Sequence, residues 1–81
     1  MKLLQIEICV GAEWQRVRRL QGETAYEPPE RGSWDDDLTQ GLERFLADHA
    51  GRAVWVETDR EPDGVLFGPG AAGPFRLRPI K

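Results

Sequence analysis

One cysteine, one histidine and one methionine among 81 residues leave little soft-ligand or redox chemistry in this chain. Cys9 alone excludes an internal disulfide and any thiolate-rich zinc site, and it fits a reducing compartment better than an oxidising one. His49 alone excludes a two-histidine metal site. Basic charge is also scarce: 11 Lys and Arg stand against 14 Asp and Glu, so no global attraction to nucleic acid or to an anionic membrane is expected. No apolar run approaches the roughly 20 residues needed to span a bilayer. The apolar start of the chain is interrupted by Gln5 and Glu7 and no small-residue cleavage site follows, so a signal peptide is not expected either. These scarcities point to a cytoplasmic protein with no membrane partner, no cofactor and no metal. The length suits one domain over residues 1–81, enough for a two-layer core and too little for a deep active site.

Against these gaps, one stretch is rich in signal. From Ser33 to Gly51 the chain reads as a helix with start, face and stop. Ser33 is a good N-cap, and Asp35, Asp36 and Asp37 occupy a first turn whose free N–H groups favour negative charge. Trp34, Leu38, Leu42, Phe45, Leu46 and His49 recur at three- and four-residue steps and form one apolar face. Gly51 closes the last turn. Gly41 costs about 1 kcal/mol relative to alanine inside a helix, a cost that close approach of a strand would explain.

The remainder reads as strands. Residues 3–10 alternate, with Leu4, Ile6, Ile8 and Val10 on one face and Leu3, Gln5, Glu7 and Cys9 on the other. A short turn at Gly11 sends residues 14–20 back antiparallel. Trp14, Val17 and Leu20 stand three apart, which breaks alternation, and a bulge near Arg16 is expected to reconcile them. Residues 21–32 are polar, contain Pro28 and Pro29, and have no period. They read as a crossover loop in which Tyr26 heads a short extended recognition segment. A third strand spans 53–59, a turn at Glu61 to Gly64 leads to a short fourth at 65–67, and a small-residue loop over 68–74 precedes a fifth at 75–78, held to an edge or an end by Pro79.

The expected class is α+β: a single helix packed on one mixed sheet of four to five strands, in the order ββαβββ. That order resembles a β-grasp, the ubiquitin-like layout, in which the last strand returns beside the first. The resemblance is one of topology only. Pro79, Ile80 and Lys81 are not the Gly-Gly ending of conjugated modifiers and sulfur carriers, so neither conjugation nor sulfur transfer is expected.

No catalytic residues are expected. Three consecutive aspartates on a helix point about 100° apart and do not converge on one cation. Cys9 alternates away from the face that meets the helix, which separates it from His49. The glycines of 68–74 lack the lysine and hydroxyl of a phosphate loop. What remains is arginine with aromatics. Arg16, Arg18 and Arg19 lie on the second strand and Arg76 and Arg78 on the fifth. Trp55 faces out if Val54 and Val56 face the helix, and Glu7 and Glu57 share that open face, where arginine–glutamate ladders are ordinary. The expected function is a non-catalytic protein-protein interaction module, an adaptor, accessory subunit or regulator. Trp55 would be its anchor, Arg16, Arg18, Arg76 and Arg78 the polar surround, and Tyr26 a secondary contact. A nucleic-acid-binding module on the same face is the alternative. A small enzyme or toxin with its site at a homodimer interface is the third.

Overall fold

In a computed structural model of the protein, residues 3–29, 32–33, 37–67 and 75–80 are described. Strands β1 (Leu3–Val10) and β2 (Glu13–Gln21) form the expected hairpin, turned at Gly11, whose φ of 65° lies in the region that favours glycine. Their ladder is short, running from Glu7↔Arg16 to Val10↔Glu13. Beyond it the two strands diverge. The lower half of β1 pairs with β4 (Gly32–Ser33), while the end of β2 pairs with β3 (Ala25–Tyr26). Residues 21–32 are therefore not a plain crossover loop. They supply two short strands to the edges that the splayed hairpin exposes, which satisfies backbone groups that neither β1 nor β2 pairs for the other.

Strand β5 (Val54–Thr58) pairs with β2, β6 (Val65–Phe67) with β5, and β7 (Phe75–Ile80) with the other edge of β1. Among the described residues every pairing is antiparallel. This corrects the expectation of a mixed sheet of four to five strands: the order is β4-β1-β2-β5-β6, with β7 on β1 and β3 on β2. The β-grasp resemblance is limited to the return of the last strand beside the first. The hairpin instead continues as an antiparallel meander through β5 and β6. Pro79 sits in β7, which is compatible with its missing N–H because β1 is the only described neighbour of that strand.

The bulge falls between Val17 and Arg19, not at Arg16. One extra residue there places Gln15, Val17 and Leu20 inward together and leaves Trp14 outward. Helix α1 (Asp37–Asp48) lays Leu38, Leu42 and Phe45 on Leu4, Ile6, Ile8, Val17, Leu20, Val54 and Val56, and these ten residues form the buried core. Ser33 belongs to β4. The expected capping by Ser33 to Asp36, the core role of Trp34 and the loop over 68–74 fall wholly or partly outside the described residues. No described helix is long and apolar enough to cross a membrane.

Gly41 faces Tyr26. A Cβ at that position would stand 2.6 Å from the Tyr26 hydroxyl oxygen, so the glycine is what admits the ring to the helix surface. Tyr26 then donates to the Leu38 carbonyl at 3.2 Å and stacks on Phe45 with ring centroids 6.5 Å apart. At the other end of the helix, His49 stacks on Phe45 at 4.0 Å. Its Nδ1 lies 2.9 Å from the Phe45 carbonyl oxygen, and its Nε2 accepts from the Thr24 N–H at 3.3 Å. The ring is a buried clip that ties the segment after β2 to the helix.

Candidate functional site

The outer face of the sheet carries every expected site residue except Tyr26. On β5, Val54 and Val56 are buried and Trp55 is 37% exposed, which places the indole outward as alternation required. The ring does not stand free. A Cβ at Gly64 would lie 1.9 Å from Trp55 Nε1, so the indole rests on the backbone of the turn before β6, and Gly64 (φ 90°) is both the residue that fits beneath it and the one that turns the chain. Leu66, 60% exposed, is its cross-strand partner. Trp55 and Leu66 thus make one apolar corner of the face.

The arginines gather elsewhere. Trp55 pairs with Gln21, and Gln21 is seven positions from Trp14 along β2, about 20 Å at the usual rise of an extended strand. Around Trp14 the face is built by three strands. The register places Arg76 beside Glu7, and Glu7 beside Arg16. The Arg76 guanidinium carbon lies 4.0 Å from the centre of the Trp14 ring, a cation–π contact. Its Nε–H donates to Glu7 at 2.7 Å, and Arg78 reaches the same carboxylate at 3.5 Å. The Gln5 amide donates to Glu7 at 2.6 Å. Beneath these groups Glu7 is only 3% exposed. Burial works to raise its pKa, and the hydrogen bonds from Arg76 and Gln5 together with the Arg76 charge outweigh it, so Glu7 is held below its ordinary value.

A second carboxylate organises the next pair. Arg16 makes a two-pronged contact with Asp59 at 3.1 and 3.2 Å, and Arg18 adds a third at 2.8 Å. For Asp59 too, burial alone would raise the pKa, and the Arg16 and Arg18 hydrogen bonds and charges bring it below the ordinary value. Four guanidiniums therefore share two carboxylates among the described residues. Flanking pairs, Arg19 with Glu57 and Arg60 with Glu13, are one to one.

Sequence reasoning placed Trp55, Arg16, Arg18, Arg76 and Arg78 on one face, and they are there. The structure brings the four arginines together and sets Trp55 apart from them. Trp14 holds the aromatic position among the arginines. Its outward phase was hidden by the misplaced bulge, and its contact with Arg76 depends on β7 joining β1. Asp59 went unnoticed at the end of β5, although an acid directly after a strand that faces arginines was a usable signal. Tyr26, expected as a partner contact, is half-buried and packs on the helix. Cys9 is on the outer face, its thiol 3.4 Å from the Gly11 carbonyl oxygen, while His49 lies buried against the helix. Comparison with protein-family models, curated proteins and solved structures finds no match to this chain.

Proposed function

We propose that this chain is a non-catalytic interaction module of the cytoplasm that binds another protein through the outer face of its sheet. The observation that supports the reading is the pairing of two anchors on one surface: the Trp55–Leu66 apolar corner, already ordered on its turn, and the Trp14–Arg76 patch with its surplus of guanidinium. Tryptophan and arginine are the side chains that most often dominate binding energy at protein interfaces, and a pre-ordered indole loses little entropy on docking. A partner that presents an apolar side chain to the first and acidic groups to the second fits the face. The adaptor, accessory-subunit and regulator roles all use such a surface.

A nucleic-acid module is the second reading, favoured by one observation, a cation stacked on an exposed indole beside unbalanced positive charge. The two readings separate by salt. A phosphate-dominated complex loses affinity steeply as salt rises, whereas a complex anchored by Trp55 persists. The test is binding of captured partner or of single-stranded nucleic acid by the purified protein at low and high salt. Retention of a protein partner at high salt, lost in Trp55→Ala, supports the interaction module; salt-sensitive nucleic-acid binding that Trp55→Ala leaves unchanged replaces it with the second reading.

A further inference from the structure

We propose that the open edge of β7 takes up an extended segment of a partner protein as an added antiparallel strand, one that alternates acidic and apolar residues. The proposal rests on the interaction reading and names the form of the partner. β7 runs for six residues, Phe75–Ile80, and among the described residues it pairs with β1 alone, which makes it the longest strand with one side open. An open edge of that length is a template for another strand.

The register fixes which backbone groups the edge offers. The two-residue turn at Gly11 and Ala12 makes Val10 and Glu13 a hydrogen-bonded pair. Counting back along β1 by alternate residues, Ile8 and Ile6 direct their backbone groups away from β7, and Glu7 and Gln5 direct theirs toward it. Opposite these two, Arg76 and Arg78 bond to β1, while Phe75 and Leu77 turn their N–H and C=O groups out of the sheet edge. Pro79 belongs to the same outward set, where its missing N–H costs no bond to β1 and ends the run of donors. Among the described residues no turn or loop backbone group meets Phe75 or Leu77.

The side chains select the strand. Phe75 and Leu77 are half-buried at the margin of the core, so apolar side chains set opposite them extend the inner layer. Arg76 and Arg78 stand on the outer face and share Glu7, Arg76 through its Nε–H at 2.7 Å and Arg78 through one Nη at 3.5 Å. Each guanidinium has further N–H donors for a carboxylate on the added strand. A second copy of this chain fits less well: antiparallel pairing of β7 with itself about Arg76, Leu77 or Arg78 sets arginine opposite arginine.

The experiment is a nitrogen-15 NMR titration of the whole protein with the capped peptide Thr-Glu-Val-Glu-Val, in parallel with its lysine counterpart Thr-Lys-Val-Lys-Val and with a copy N-methylated at both valines. The expected result is a saturable downfield shift of the Phe75 and Leu77 amide protons, larger than at Arg76 and Arg78, whose amides already face β1. Binding of the lysine and N-methylated peptides should be weaker by about tenfold or more. Equal binding of the lysine peptide overturns the acidic assignment. Equal binding of the N-methylated peptide overturns strand addition and leaves the outer-face reading in place, as does the absence of any saturable response at Phe75 and Leu77, since that reading is judged by retention of a protein partner through Trp55. Shifts of the same two amides on concentrating the free protein would give the edge to a second copy and overturn the acidic partner.

Discussion

On the inner side of the sheet, polar groups are closed among themselves. The Thr58 hydroxyl donates to Gln15 Oε1 at 2.5 Å and accepts from the Glu61 N–H at 3.0 Å, and both ring nitrogens of His49 meet backbone groups. On the outer side the accounts stay open. Among the described residues two arginines compete for Glu7, two for Asp59, and one Arg19 donor has no acceptor. A buried polar group with every bond used fixes a fold and has nothing left for a partner. A surplus of donors at the surface contributes little to stability, since exposed ion pairs contribute about 0.2–1 kcal/mol each, and it is available to bind. On the proposed function, the two faces of one sheet divide stability from recognition in this way.

The sharpest contrast between the faces comes from truncating one leucine on each. Leu20→Ala, at a fully buried position, is expected to lose about 2–5 kcal/mol, whereas Leu66→Ala on the outer face should stay within about 0.5 kcal/mol. Urea denaturation of the two variants measures both, and a large loss at Leu66 would erase the division. Gly22→Ala ranks next. Its Cβ would lie 2.3 Å from His49 Cδ2, in a ring fixed by two hydrogen bonds and a stack, so an overpacking loss of about 1–3 kcal/mol is expected in the same assay.

Acid probes the outer carboxylates. Glu7 and Asp59 are both held below their ordinary values by their arginines, against the opposing pull of burial. Each therefore binds a proton more weakly folded than unfolded, and the stability it contributes is fully present above the ordinary carboxylate range of about 4 and lost as pH falls through the lower folded values. The melting temperature should be level on descending from neutral pH and drop below that range, and Glu7→Gln should flatten part of the drop. A Glu7→Gln profile parallel to wild type would show that the Arg76–Glu7–Arg78 group carries none of it.

Modest in stability and largest in binding is Trp55→Ala. The indole is partly exposed and rests on Gly64, so a loss of about 1 kcal/mol and an unchanged far-UV circular dichroism spectrum are expected, together with loss of partner binding. A variant without a melting transition would return Trp55 to the core.

The inner phase was legible in the sequence wherever a period ran uninterrupted. Alternation placed Leu4, Ile6 and Ile8 correctly, and three- and four-residue spacing placed Leu38, Leu42, Phe45 and His49. Single-residue events were not legible. A bulge changes the face of every residue beyond it, and no composition signal distinguishes Arg16 from Arg18 as its position. Two-residue strands have no period at all, so β3 and β4 passed for a proline-bearing loop. The Trp14–Arg76–Glu7 group depends on which strand joins β1 and in what register, a long-range choice made by the whole sheet. Strand direction was missed for the same reason, and the expected order ββαβββ lacked the two short strands that precede the helix.

The division of labour is tested most directly by native affinity co-purification of the tagged protein from its own cells, with nuclease and at high salt, comparing wild type with a Trp55→Ala, Arg76→Glu double variant whose melt is unchanged. The account predicts a stoichiometric protein that wild type retains and the folded double variant loses. Equal recovery of that protein by both, or recovery only of nucleic acid that salt removes, would contradict it.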